Sequence, residues 1–337
     1  MEWLSEESID SLAGSTYTYL IEMPTVYFHV DWYGEDDKFL NEISRQSPEN
    51  PNKWDDVRAV LDPADADYHV AFNQPADKLD PERLLLFCAE PPCTSFCDGW
   101  DEYDALKTFP LDRFHKPQRW WVKQDYDSLK QMEPPEKSRD LSWITSDKGR
   151  NLSPILTTIR LALLKLGYRR FEDKPLNLLE RGPNDGHLLR MQFFERLAES
   201  QPDLFDLYGR GDFSGTYYHG EIEDKWEGLV DYRYSLAIEN YRGPNYFSEK
   251  LTDALLAWCM PIYWGCTNLD DYLPPDSYIE IDIEDPETPE QIQDIVESDH
   301  RERNLSAIAE ARRRLLDEYQ VWPTVERCVN KTLDQQW

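Results

Sequence analysis

The stretch that most constrains the fold runs from Tyr232 to Gly265, YRYSLAIENYRGPNYFSEKLTDALLAWCMPIYWG. Ser235 to Ile238 is a short apolar run that reads as a buried strand, stopping at Glu239 and Asn240. Gly243 and Pro244 then break the chain, and Asn245 is a good N-cap for the helix that follows. In that helix Phe247, Leu251, Ala254, Leu255 and Trp258 fall at helical spacing and make one apolar face. A second strand, Met260 to Trp264, closes at Gly265. Strand, crossover helix and strand form a βαβ unit, which predicts a right-handed parallel pair in an α/β fold.

Tyr246, Glu249 and Lys250 stand at i, i+3 and i+4, so the spacing predicts a shared helical flank away from the apolar face. They lie beside the C-terminal end of the preceding strand, where open α/β sheets bind ligands. Unpaired N–H groups and a lysine at a helix N-terminus suit a phosphate. The spacing alone is equally met by a capped helix carrying a surface Glu-Lys pair.

The residues themselves are more specific. Glu239-Asn240, Tyr246, Glu249-Lys250 and Pro261-Ile262-Tyr263-Trp264-Gly265 resemble, in order, the donor-binding motif of the family-10 glycosyltransferases, the α1,3/4-fucosyltransferases. The similarity continues through Tyr272-Leu273-Pro274-Pro275, Ser277 and a strand from Tyr278 to Ile283. The resemblance implies a GT-B architecture: two Rossmann-like domains facing a central cleft, acceptor side first. The expected units are 1–139, 140–300 with the donor site, and a terminal helical segment 301–337.

Charge bears on the ligand. The 337 residues hold 66 Asp and Glu against 36 Lys and Arg, a formal charge of −30. That argues against nucleic acid and against a basic membrane-binding patch. An anionic nucleotide sugar must therefore find a locally positive site on a negative molecule. The N-terminal MEWLSEESIDSLAG has no basic and apolar signal pattern, and no apolar run is long enough to span a bilayer. A cytoplasmic location without a transmembrane segment is expected, leaving peripheral contact as the form of membrane association. Asn304 and Asn330 open glycosylation sequons that a chain without a secretory route does not use.

The first half predicts a small α/β sheet with strands at Thr25 to Trp32, Tyr68 to Phe72 and Arg83 to Cys88, and polar sequence from Asn41 to Trp54. The third strand ends in Cys88-Ala89-Glu90-Pro91-Pro92, and a carboxylate there is well placed for a cleft. The fucosyltransferases have a Glu-Pro turn at this point, and the resemblance assigns Glu90 the role of general base. Cys88, Cys93 and Cys97 cluster, with His115 as a fourth candidate ligand, but the spacings match no standard structural zinc pattern. They read better as buried or idle thiols, with Cys259 and Cys266 packed around the core motif. Asp270-Asp271 and Asp282 fall in segments that match non-metal parts of the family, so no essential metal is expected.

Lys123 to Arg139, with Pro134-Pro135, reads as an interdomain linker. Leu141 to Lys148 reads as the first strand of the second domain. An insert from Gly149 to Asp185 carries an amphipathic helix, Ile155 to Leu166, and either covers the cleft, contacts acceptor, mediates association or is a tolerated surface insertion. Gly186-His187-Leu188-Leu189-Arg190 opens a further helix. The resemblance places Arg190 against the donor diphosphate, which a guanidinium fork suits; His187 reads as structural. Helices are expected at Pro289 to Glu297 and Arg301 to Tyr319, the Arg312-Arg313-Arg314 run being a solvated face, with the terminal helices crossing back over the first domain. Trp120-Trp121 either stacks on a sugar or fills core.

The resemblance thus implies an inverting transfer of L-fucose from GDP-β-L-fucose to an acceptor glycan hydroxyl, at the 3 or 4 position. Arg190, Asn240, Tyr246, Glu249 and Lys250 would hold the donor and Glu90 would act on the acceptor. The alternatives are another GDP-sugar on the same fold, or an inactive sugar-nucleotide or glycan binder.

Overall fold

The computed structural model describes residues 23–30, 36–49, 52–72, 79–87, 91, 117–147 and 186–335. Glu90, the three clustered cysteines, His115 and the whole insert from Gly149 to Asp185 lie outside the described residues.

The first sheet is built from β1 (Thr25–His29), β2 (Lys53–Trp54), β3 (Val57–Ala59), β4 (Tyr68–Phe72) and β5 (Leu84–Phe87), in the order β2-β3-β1-β4-β5. Helix α1 (Asp36–Ser44) follows β1. β1 pairs in parallel with β3 and β4, and β4 in parallel with β5. Every residue of β4 and β5 is buried, as expected of parallel strands covered on both faces. The antiparallel β2–β3 pair lies partly in the stretch read as polar loop; strands of two and three residues carry no period from which to read them.

The second half adds α2 (Tyr126–Gln131), β6 (Arg139–Ile144), α3 (Gly186–Ser200), β7 (Asp206–Tyr208), β8 (Tyr232–Gly243), α4 (Glu249–Leu256), β9 (Met260–Cys266) and β10 (Ile279–Glu280). Its sheet runs β10-β9-β8-β6-β7, with every pair parallel. The architecture is therefore α/β with two separate sheets, the second wholly parallel and the first parallel except for its β2–β3 edge, in line with the GT-B expectation. The βαβ unit read from the sequence is β8-α4-β9, in register from Tyr234 opposite Met260 to Ile238 opposite Trp264. β8 does not stop at Glu239: it continues through an irregularity to Gly243, opposite Cys266. The strand from Tyr278 to Ile283 shrinks to Ile279–Glu280.

The stretch Lys123 to Arg139 is not a loose linker. Asp125 caps α2 by accepting from Ser128 N at 2.7 Å. Lys137 Nζ donates to the carbonyls of Val230 and Ala257, each at 2.7 Å, and Trp258 Nε1 donates to Met132 O at 3.1 Å. Side-chain donors reaching unpaired carbonyls strap this segment to the second sheet, something a polar composition does not distinguish from a tether.

The C-terminal region forms α5 (Thr288–Glu297), α6 (His300–Arg303), α7 (Leu305–Arg314), a π-helical turn (Leu315–Tyr319) and α8 (Val321–Gln335). The helix expected from Arg301 to Tyr319 is thus interrupted at Asn304. Its arginine run is not one solvated face either. Arg312 is buried, its guanidinium 4.4 Å from the centre of the Trp258 ring, and it donates to the carbonyls of Leu129, Leu255 and Leu256. Burial brings its pKa down to about 9. Arg313 and Arg314 do stay outside, on Glu310 and Glu318. α8 crosses to the first sheet as expected: Val321, Trp322, Val325 and Val329 join its core, and Trp322 Nε1 donates to Ile43 O at 2.8 Å. Among the described residues no helix is long and apolar enough to cross a membrane.

Candidate functional site

In the second sheet β6 has β7 on one side and β8 on the other, so the chain reverses its direction of travel across the sheet between β6 and β8. Loops leaving the C-terminal ends of such strands part and open a crevice. The crevice is present here as a pocket of about 430 Å³, within the size range of small-molecule sites. Ile144, Thr145 and Ser146 leave β6, Gly209 and Arg210 leave β7, and Asn240 stands on the irregular end of β8. His187 and Arg190 come from α3, Glu249 and Lys250 from the start of α4, and Trp121, Glu221, Ile222, Glu223 and Lys225 from connecting segments.

Two glycines allow the close approach. A Cβ on Gly186 would lie 2.2 Å from Glu239 O, so only glycine lets the first turn of α3 rest on the end of β8. Gly209 has φ +127°, and a Cβ there would lie 1.7 Å from Thr145 O.

Arg190 is buried at the floor of the pocket. Its Nη1 donates to Asn240 Oδ1 at 2.7 Å, and its Nη2 lies 3.1 Å from His187 Nδ1. A guanidinium only donates, so His187 Nδ1 is the acceptor and the ring proton sits on Nε2. His187 is thus structural, as read, but its function is to orient Arg190. With Asn240 Oδ1 accepting from Arg190, the Asn240 amide nitrogen is left as the donor end.

The helix start differs from the sequence reading in three ways. The N-cap is Ser248, not Asn245: Ser248 Oγ accepts from Lys250 N, and the helix begins at Glu249. Asn245 instead has φ +61°, and its Oδ1 accepts from Asn268 Nδ2 and Tyr272 OH, both at 2.7 Å, closing the loop before the helix. Tyr246 consequently lies before the helix, buried and edge-on to Tyr241, and does not share a flank with Glu249 and Lys250 or line the pocket. Third, the helix N-terminus is already occupied by a carboxylate. Glu239 is fully buried, and it accepts from Ser248 N at 2.7 Å and Ser248 Oγ at 2.6 Å. A carboxylate there satisfies the helix dipole as a phosphate would.

What faces the pocket is a row of charges. Lys250 Nζ is 3.3 Å from Glu249 Oε1 and 3.7 Å from Glu239 Oε2. Lys225 Nζ is 3.7 Å from Glu249 Oε1 and donates to the buried Asp253 Oδ2 at 3.0 Å. Burial acts to lower the Lys225 ammonium, but Asp253 and Glu249 more than reverse this and hold it above its ordinary value. Glu249 is therefore pinned between two cations. Four cations, Arg190, Arg210, Lys225 and Lys250, thus line the recess together with three carboxylates, Glu221, Glu223 and Glu249, and Glu221 pairs with Arg210 at 2.9 Å. Among the described residues no cluster of three metal-ligating side chains occurs.

The structure brings together Arg190, Asn240, Glu249 and Lys250 and sets Tyr246 behind them. Sequence reasoning missed Lys225, which no spacing marks, and left the Trp120-Trp121 pair open. Trp120 is core, whereas Trp121 is 49% exposed and lines the pocket.

An open parallel sheet with charged side chains at its switch point belongs to the class of α/β proteins that hold a ligand in that crevice. Residues 184–304, which take in α3 through α6, match the family model for the C-terminal part of glycosyltransferase family 10 (fucosyltransferase). An alpha-(1,3)-fucosyltransferase of Helicobacter pylori is 29% identical over 93 residues, 28% of this chain and 18% of that protein. A 4-galactosyl-N-acetylglucosaminide 3-alpha-L-fucosyltransferase of Gorilla gorilla gorilla is 35% identical over 107 residues, 30% of this chain and 26% of that protein. The matches thus span about a quarter or less of these relatives' length. A crystal structure of alpha1,3-fucosyltransferase with GDP-fucose superposes with a TM-score of 0.41 at 15% identity, covering 94% of this chain and 95% of that one.

Proposed function

We propose that the protein is an inverting glycosyltransferase that moves L-fucose from GDP-β-L-fucose to a 3- or 4-hydroxyl of an acceptor glycan. The observation that carries the reading is the convergence of Arg190, Asn240, Glu249 and Lys250 on one pocket at the switch point of a family-10 domain. Arg190 and Lys250 offset the charge that grows on the diphosphate as the sugar leaves, an electrostatic contribution that is often the largest in catalysis. The diphosphate is assigned to these protein cations, not to a metal. Asn240 and Glu249 hold the sugar or ribose hydroxyls, and Tyr246 supports them from behind. Glu90 takes the proton of the acceptor hydroxyl as its oxygen attacks the anomeric carbon. One displacement inverts that carbon and gives an α-L-fucoside, with GDP as leaving group.

Calorimetry with nucleotide sugars tests this. GDP and GDP-fucose should bind, more tightly than UDP- or CMP-sugars, and a chelator should leave the affinity unchanged. A clear preference for UDP-sugars would overturn the donor assignment. Lys250→Ala should weaken GDP binding by about 1.5–3 kcal/mol, the usual range for a hydrogen bond to a charged group. Arg190→Ala should lose at least as much, because it also releases Asn240 and His187. If both variants bind GDP like the wild type, the diphosphate lies elsewhere.

A further inference from the structure

The segment that precedes the second sheet contributes one side chain to the pocket, and its mounting is unusual. Trp120 and Val122 are buried on either side of Trp121, while Trp121 itself presents its indole to solvent. The main chain is clamped from both halves of the molecule. Arg45 and Gln46, just past α1, donate to Trp120 O at 2.9 and 3.1 Å, and Arg45 also reaches Val122 O. From α4, the buried Asp253 accepts from Trp121 N at 2.8 Å with one oxygen, and with the other from Lys225, whose ammonium lies 5.2 Å from the centre of the Trp121 ring. Among the described residues only Leu61 is another large apolar side chain so exposed. A half-exposed indole is normally left on mobile surface. Here the main chain that carries the indole is held by a buried carboxylate, and the ring itself packs against Lys225, which also pairs with Glu249.

We infer that Trp121 is a specificity-determining platform of the donor site, its indole face lying against the transferred sugar ring. The chemistry matches that of a deoxyhexose. The C–H face and methyl group of such a sugar suit an aromatic surface, while its hydroxyls suit the adjoining Glu249 and Lys225. Because Asp253 ties the Trp121 main chain to Lys225, and Lys225 itself pairs with Glu249, the platform and the polar contacts keep a fixed spacing. Because Arg45 and Gln46 hold the same segment, the first half of the chain sets where that platform stands. The inference rests on the nucleotide-sugar reading of the pocket and goes beyond it in naming which part of the donor Trp121 meets.

The test is calorimetry of GDP, GDP-fucose and GDP-mannose on wild type, Trp121→Phe and Trp121→Ala, each first shown to melt cooperatively. In Trp121→Ala, GDP affinity should stay within about twofold of wild type, while GDP-fucose should weaken about tenfold, the size of one aromatic contact. The preference for GDP-fucose over GDP-mannose should shrink with it, and Trp121→Phe should restore most of both. Equal losses for GDP and GDP-fucose would put the ring under the base and overturn the inference. Unchanged affinities, or wild type binding GDP-fucose no better than GDP, would remove Trp121 from sugar recognition. Wild type that binds none of the three removes the nucleotide-sugar reading itself, a result distinct from a failure of Trp121.

Discussion

Glu90→Gln is expected to lower fucosyl transfer by about 10²–10⁴-fold while leaving GDP affinity nearly unchanged. Glutamine keeps the shape of the side chain and removes its capacity to take a proton. In sequence Glu90 follows β5 by three residues, and β5 runs parallel to β4. β5 is thus the nearest described element in the chain, and its C-terminal end is the end at which parallel sheets hold ligands. Arg190, Asn240, Glu249 and Lys250, proposed above to hold the donor, all come from the second half of the chain, so a base supplied by the first half is expected to act on the acceptor. That separation gives the experiment its contrast. A donor-binding carboxylate would lose affinity on substitution, a surface one would lose nothing, and a base loses turnover alone. Turnover and GDP binding measured side by side on the folded variant decide among them. Near-normal turnover would transfer the role to another carboxylate.

Glu239→Ala is expected to destabilise the fold by roughly 3 kcal/mol or more. The carboxylate has no exposure, and it is the acceptor for both Ser248 N and Ser248 Oγ. Each buried donor left without an acceptor costs about 1–3 kcal/mol, and the space vacated beside Gly265 adds a cavity cost. Gly265 is where that side chain passes: a Cβ there would lie 2.5 Å from Glu239 Cγ. Lys250 would also lose one of its two carboxylates. Glu239→Gln keeps an acceptor for Ser248 N and should cost much less. Denaturant midpoints compared at constant slope measure the difference. An alanine variant as stable as wild type would mean that Glu239 does not hold the start of α4, and that the helix N-terminus is open to ligand after all.

The parallel sheets were legible wherever strands are long and wholly apolar. β4 and β5 are continuous buried runs and β9 is buried throughout, and a strand covered on both faces leaves this signature in the chain. The motif residues were legible as a set, because Glu239-Asn240 and Glu249-Lys250 stand in order within one βαβ unit. Their individual postures were not. A three-four spacing holds only inside a helix, and α4 begins three residues after Tyr246. Which serine or asparagine caps a helix depends on what its side chain meets. Asn245 meets Asn268 and Tyr272, from sequence more than twenty residues on.

The same limit governs the charges. Sequence by itself determined that the chain forms α/β units around a strand-helix-strand motif and that it carries a strong excess of acidic residues. It did so because period, breakers and net charge are properties of neighbouring residues or of the whole. Only the tertiary structure decided that Arg312 is buried while Arg313 is not, that Glu239 fills the helix N-terminus, and that Trp121 and Lys225 complete the pocket. Those outcomes depend on partners far apart in the chain, such as Asp253 with Trp121 and Arg312 with Leu129. Burial of a charge is tolerated only where folding brings such partners together.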